Sequence, residues 1–259
     1  MCDKILKYPR TPHLEGSKLQ PGDEDLSQIP FKSLKGKYLV IEEKIDGANC
    51  GISFSSDGKL LLQSRGHYLT GGYRERHYNL LKQWASIHQE EFYNVIGTRY
   101  IIYGEWMYAK HKIYYDNLPS FFMEFDVYDK EEKVFLSTER RKELLKGLPI
   151  CSIPVLNCGT FDKIDDVLKC LGESKYKSSN HIKNLTETIT ALGLNLDEIL
   201  KETDTSNLME GLYIKVEENG MVIDRIKYVR YSFTQTDTGN STDWINKPII
   251  QNKVNVPFI

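Results

Sequence analysis

The sequence predicts an α+β domain: an antiparallel β-sheet with a helical insertion ahead of its last hairpin. Two observations set the elements. Residues 37–64 and 209–229 alternate apolar and polar positions around the turn-forming dipeptides Asp57-Gly58 and Asn219-Gly220. Residues 138–205 instead carry Leu and Ile at i, i+3 and i+4, the period of a helix. A third bounds the whole: 259 residues, 40% hydrophobic and 27% charged, fit a single globular domain spanning residues 1–259.

In chain order, "YPRTPHLEGSKLQPGDEDLSQIPF" is rich in Pro, Gly and Asp and predicts an ordered loop leading into the sheet. A β-meander is expected over 37–64: "KYLVIEEK", a turn, "ANCGISFSS", a tight Asp57-Gly58 hairpin and "KLLLQSRG". Leu80, Leu81, Trp84, Ile87 and Phe92 then fall at helical spacing. "RYIIYGEWMY" and "FFMEFDVYDKEEKVFLS" are strand-like, being rich in aromatic and β-branched residues. Helices are expected in "TERRKELLKGL", "DKIDDVLKCL" and "NLTETITALGLNLDEILKE", which make up the insertion at about 138–205. "EGLYIKVEENGMVIDRIKYVR" forms the closing hairpin, and "STDWINKPIIQNKVNVPFI" an irregular tail.

Composition excludes several classes. A net charge of −2 gives no global basic field, which leaves room for a local basic groove. Five cysteines, an odd number without C-x-x-C pairs, argue for reduced thiols rather than a disulfide framework or zinc ribbon. The histidines lack transition-metal spacing. No run approaches about 18 apolar residues, and "MCDKILKYPR" has no signal-peptide core, so a soluble, cytoplasmic protein without a membrane partner is expected.

The chemistry centres on "EEKIDGAN" at 42–49. A free lysine amine, with a pKa near 10.4, is only about 0.04% neutral at pH 7, so a nucleophilic Lys44 needs neighbours that disfavour its ammonium. Arg225 and Lys227, which share one strand face on either side of Ile226, are the candidates. Taken singly, each residue has a plainer reading. Lys44, Asp46 and Gly47 make a charged turn, Arg65 caps a strand, Glu105 and Glu210 are surface carboxylates, and Phe125 is a core aromatic.

Their order changes that. "EKIDG", "QSRGHYL", "IIYGEWM", "FFMEFDVYD", "MEGLYIKV" and "DRIKYV" follow one another as motifs I, Ia, III, IIIa, IV and V of the covalent nucleotidyltransferases do. From about residue 37 to 230 the chain resembles ATP-dependent polynucleotide ligases and messenger-RNA capping enzymes, with their ATP-grasp-like DNA/RNA ligase catalytic core. The resemblance implies that Lys44 attacks the α-phosphate of ATP to form lysyl-AMP. It puts Asp46 and Arg65 near the ribose and attacked phosphate, Glu105 on a ribose hydroxyl or metal-bound water, and Phe125 against the adenine. Glu43 joins the ATP-binding set. Glu210, with Glu105, would hold Mg²⁺ or Mn²⁺, Lys227 would contact the α-phosphate, and Arg225 takes the second basic position. Lys44, Asp46 and Lys227 are thereby the implied catalytic residues. His13, Glu15 and Ser17 are further candidates for the nucleotide end of the groove.

Only roughly thirty residues follow Lys227, too few for the five-stranded OB-fold barrel of DNA ligases and capping enzymes. "SRGHYL", "YGEWMYAKHKIYYDNLP" and "EFDVYD" resemble the nick-sealing RNA ligases most closely. The expectation is an ATP-dependent RNA ligase acting on RNA ends or nicked RNA duplex, with a partner protein to help bind substrate. In "YAKHKIYYDNLP", Lys110, His111, Lys112 and the tyrosines are candidates for RNA contacts. The helical insertion, with its loop "GESKYKSS", is expected to cover the sheet, with RNA binding as the alternative. A minimal DNA ligase, and a non-catalytic nucleotide- or RNA-binding module with a relic ligase core, stay open as alternatives.

Overall fold

The computed structural model describes residues 4–19, 22–23, 26–233 and 248–259. Among these, twelve strands join one mostly antiparallel sheet. They are β1 (His13–Leu14), β2 (Gln28–Ile29), β3 (Leu39–Lys44), β4 (Ala48–Phe54), β5 (Leu60–Ser64) and β6 (Tyr100–Trp106). The others are β7 (Phe122–Asp129), β8 (Val134–Leu136), β9 (Cys151–Ser152), β10 (Val155–Gly159), β11 (Gly211–Glu218) and β12 (Met221–Val229). The helices are α1 (Asn79–Ile87), α2 (Gln89–Ile96), α3 (Thr138–Leu144), α4 (Ile164–Leu168), α5 (His181–Ala191) and α6 (Leu196–Lys201).

The strand order β10-β3-β11-β12-β8-β7-β6-β4-β5 divides into two halves. Short β8 is the corner, pairing two residues with β12 on one side and two with β7 on the other. Period-2 alternation explains the halves. Leu39 and Ile41, Leu212 and Ile214, and Ile226 face one way, into a core shared with Leu14, Phe31 and Val167. Their neighbours Glu42, Lys44, Tyr213, Lys215, Arg225 and Lys227 therefore face the other way, towards the second half. That half has its own core, where Leu81, Trp84 and Phe92 of α1 and α2 pack with Ile52, Ile102, Phe122 and Val127.

Charge fastens the halves together. Arg141 on α3 binds Glu124 of β7 at 2.6 Å and also Glu42 of β3. Lys215 of β11 lies 3.0 Å from Glu42 and 3.2 Å from Asp126 of β7, and Arg225 of β12 lies 3.5 Å from Asp126. Three cations meet three anions, and five of the six side chains are wholly shielded from solvent.

Several sequence expectations change. Residues 37–64 are not a meander, because β3 pairs with β10 and β11 whereas β4 pairs with β5 and β6. Lys44–Gly47 is thus a crossover between the halves. Gly47 is not a positive-φ turn residue; a Cβ there would come within 2.8 Å of the Trp106 carbonyl and 2.7 Å of Met107 Sδ. Asn219-Gly220 is the expected primed turn, with φ of 50° and 75°. At Asp57-Gly58 only the glycine has positive φ, and Phe54 pairs with Leu60, so the loop is longer than a two-residue turn. The segment 138–205 is not helical throughout, since β9 pairs with β7 and β10 forms the sheet edge beside β3. Its loop at 172–179 covers the core, burying Ser174, Tyr176 and Lys177. In the tail, Gln251 and Val254 bridge to Ala109 and Leu118, and Phe258 packs on Trp84 and Trp106. Among the described residues no helix is long and apolar enough to cross a membrane.

Removing Arg141 leaves Glu42 and Glu124 each short of a partner in the buried interior. Arg141→Met is expected to cost about 3–5 kcal/mol, read as a lower urea midpoint at unchanged slope. A loss under about 1 kcal/mol would mean that the ion cluster does not join the halves.

Candidate functional site

A cavity of about 270 Å³ opens between the halves, lined by Glu43, Lys44, Arg65, Glu105, Phe125 and Lys227 among others. These six come from β3, the end of β5, β6, β7 and β12, so the strand ends gather what the sequence disperses over 185 positions. Glu210, just before β11, reaches the site through Lys44. It is fully buried, and its Oε2 accepts a 2.6 Å hydrogen bond from Lys44 Nζ. Gly211, which pairs with Lys44, lets β11 lie close against β12; a Cβ there would lie 1.8 Å from the Tyr228 carbonyl.

Phe125 reaches the cavity through an irregularity. Tyr103 and Gly104 of β6 pair with Asp126 and Glu124, leaving Phe125 as the extra residue of a β-bulge. A bulge re-aims the side chain it carries. Glu124 and Asp126 turn into the ion cluster while the ring of Phe125 lines the cavity, with Tyr8 edge-on at 5.1 Å.

Two predicted residues sit elsewhere. Asp46 Oδ2 accepts the backbone N–H groups of Lys112 (2.7 Å) and Ile113 (3.1 Å), and the Asp46 N–H donates to the Tyr115 hydroxyl at 3.0 Å. Its carboxylate fastens the 110–115 loop beside Lys44. Arg225 lies behind the cavity wall, 3.8 Å from the Phe135 ring and engaged with Asp126. Tyr114 and Tyr115 are fully buried, which removes them from any RNA surface. Nor do His13 and Ser17 line the cavity. The His13 ring bonds Ser17 Oγ at 2.7 Å and Asp23 Oδ2 at 3.1 Å, and Ser17 Oγ accepts the Val229 N–H. Glu15 is half-buried beside β2, its N–H on the Ile29 carbonyl.

The N-terminal segment does reach the cavity, through Tyr8, Arg10, Thr11 and Asp23. Sequence reasoning singled out the right segment and the wrong positions in it, since nothing in "YPRTPHLEGS" shows that His13 pairs with Lys227 on β12 and so faces inward. Asn49, inside "EEKIDGAN", was also missed. It lines the cavity with its buried Oδ1 unpartnered.

The electrostatics reverse the expectation for Lys44. Burial opposes its charge, yet Glu210, Asp46 and Glu105 outweigh burial and raise its pKa above the ordinary value. It is Lys227 that is lowered, by burial and by the nearby Lys44. Burial pushes Glu105 up to about 7 against Lys44 and Arg65, with Asp46 and Glu210 adding to the rise. Burial also raises Glu43 to about 7, opposed by Ser174 and Lys177. Lys177 itself is lowered to about 8 by burial; its Nζ donates to the carbonyls of Ser206 (3.1 Å) and Leu208 (2.6 Å), which anchors the approach to Glu210.

Among the described residues no group of three or more His, Cys, Asp or Glu forms a protein-built metal cage. Glu105 and Glu210 nonetheless suit a hard divalent cation. Both press negative charge on Lys44, and two carboxylates completed by water and phosphate oxygens are a normal Mg²⁺ set.

A family profile described as RNA ligase matches residues 37–229. Similar solved structures include a lysine-to-alanine mutant of the Naegleria gruberi RNA ligase with ATP and Mn (16% identity, TM-score 0.53). A lysine-to-methionine mutant with AMP and Mn gives 16% and 0.54, and the same enzyme with PPi 18% and 0.51. Each match covers 87% of this chain and 56% of the other, so the chain spans little more than half their length. A search of the curated proteins returned no match.

Because Glu210 holds the proton on Lys44, Glu210→Gln is expected to lower the Lys44 pKa. Competitive acetylation followed by mass spectrometry should show Lys44 becoming reactive at lower pH than in the parent. An unchanged midpoint would remove Glu210 as the controlling charge.

Proposed function

The chain belongs to the RNA ligase family, and we propose that it is an ATP-dependent RNA ligase whose nucleophile is Lys44. The observation that carries this reading is the meeting of Lys44, Glu105, Lys227 and Phe125 around one cavity from four separate strands, with buried Glu210 bonded to Lys44. Relatives solved with ATP, AMP and Mn support ATP and a divalent cation as the partners.

Neutral Lys44 Nζ bonds to the α-phosphorus and gives up a proton to solvent as the bond to the β-phosphate oxygen breaks. Pyrophosphate leaves with the electron pair, and lysyl-AMP remains. An RNA 5′-phosphate then takes the AMP, and a neighbouring 3′-hydroxyl displaces it to close the strand. Lys227 neutralises charge on the α-phosphate, and Arg65 sits where the ribose and phosphate meet. Phe125 offers its ring to the adenine, with Glu43 beside it. Glu105 and Glu210 would hold Mg²⁺ or Mn²⁺, which supplies positive charge beside the phosphate. Asp46 and Arg225 act as positioning residues, the first through the 110–115 loop and the second through the ion cluster. RNA ends, or a nicked duplex presented with the help of a partner protein, are the proposed substrates.

Incubation with α-labelled ATP and Mg²⁺, then denaturing electrophoresis, should leave an acid-labile AMP label that Lys44→Ala abolishes. Labelling should rise with pH, because the raised pKa of Lys44 keeps it protonated near neutrality. Equal labelling of Lys44→Ala would end the proposal. Efficient sealing of nicks with deoxyribose on the 3′-hydroxyl side would move the chain to DNA ligation.

A further inference from the structure

On a chain whose net charge is −2, the stretch from Arg65 to His77 carries three arginines, two histidines and a single acid. That acid is turned away from the surface. Glu75 is 5% exposed and accepts the N–H groups of Thr70 (3.1 Å) and Gly71 (2.8 Å) as well as Lys82 Nζ. Arg65, His67, Tyr73 and Arg74 are exposed, and Arg65 is where the stretch joins the cavity. Beside it lies the Lys110–Lys112 loop. Trp106 Nε1 donates to the His77 carbonyl at 2.7 Å, which sets the short Tyr73–Tyr78 turn against the end of β6. Asp46 fastens Lys112 and Ile113 next to Lys44. Burial lowers the pKa of His77, and the nearby Arg76 and His111 add to the drop. We propose that this face is the landing surface for single-stranded RNA, with Tyr73 as the platform for an unpaired base and Arg74, Arg76, Lys110 and Lys112 as the track for its phosphates. That the ligand is RNA rests on the ligase reading above.

The ring decides between one strand and two. Arg76 Nη1 donates to the Tyr73 hydroxyl at 2.9 Å, and its guanidinium lies 4.9 Å from the ring centroid. The ring is thereby held in place, yet Tyr73 is 63% exposed. A side chain already fixed loses little freedom when a ligand lands on it. A duplex keeps its bases in the stack and offers phosphates, for which cations alone suffice. An exposed ring beside such cations gains only where a base is unpaired, and base–aromatic stacking tolerates any sequence. With Glu75 turned inward, no acid of the stretch cancels the positive field that steers the strand towards Lys44. Single-stranded RNA ends are therefore the substrate this face fits, in preference to a nicked duplex.

Fluorescence anisotropy with an unstructured, fluorescein-labelled ribo-oligonucleotide, alone or annealed into a nicked RNA duplex, tests this. The parent should bind the single strand more tightly. Tyr73→Ala should weaken single-strand binding about tenfold and duplex binding by under about twofold, and Tyr73→Phe should restore it. Arg74→Gln should lower the slope of log affinity against log salt by about 0.7 on the single strand. Both side chains are exposed, so the thermal midpoints should match the parent's and a loss of binding cannot be a loss of fold. Unchanged single-strand affinity in Tyr73→Ala, an equal loss on both ligands, or tighter parent binding to the duplex overturns the proposal. A parent that forms no lysyl-AMP, yet binds the single strand through Tyr73, would instead overturn the ligase reading and leave the RNA surface standing.

Discussion

The buried ion cluster between the half-sheets is the constraint on which the rest of the molecule depends. Apolar packing could hold two sheets together as strongly, and breaking even a good buried pair costs more than the pair contributes. What the charges add is register. A one-residue slip of β3 or β7 would turn Glu42, or Glu124 and Asp126, into an apolar core where no cation waits. Glu42 lies two residues before Lys44 on the same face, and Glu124 and Asp126 flank Phe125. The cluster therefore fixes, at one remove, where the amine and the ring of the site must lie.

Around Lys44 the same physics runs at lower burial, with one residue on the open side. Carboxylates hold the amine as an ammonium, and the basic groups stand across the cavity on β12 and in the N-terminal segment. The amine is thus held in its charged form by the carboxylates that face it. Charge brought onto those carboxylates and charge removed from Lys44 are linked, since each pKa depends on the other.

Much of this was legible in the sequence because it is carried by period and by short motifs. Strand alternation foretold that Arg225 and Lys227 share a face, and the primed turn at Asn219-Gly220 was visible as a dipeptide. Pairing between distant segments was not legible. Nothing local in "KYLVIEEKIDGANC" says that its two strands part company at Lys44, or that Gly47 is needed for a close approach rather than for a turn. The motif places Asp46 beside Lys44, but nothing in it shows the two loop amides that its Oδ2 accepts. The roles of Tyr8, Arg10 and Asp23 depend on a parallel pairing of β1 with β12 that spans more than 200 residues, beyond any window of periodicity.

The crossover at Lys44–Gly47 has a consequence for how the site comes into being. Lys44 emerges early in the chain, but Glu210 lies 166 positions later and Lys227 later still. Closing loops of that length precedes any reward from the contacts they make, so the last hairpin is the costly, late step of assembly. Until β11 and β12 dock, the chain carries an ordinary exposed lysine. The cavity is therefore completed only when the segment from Glu210 through β11 and β12 docks, and a chain halted midway lacks both Glu210 and Lys227.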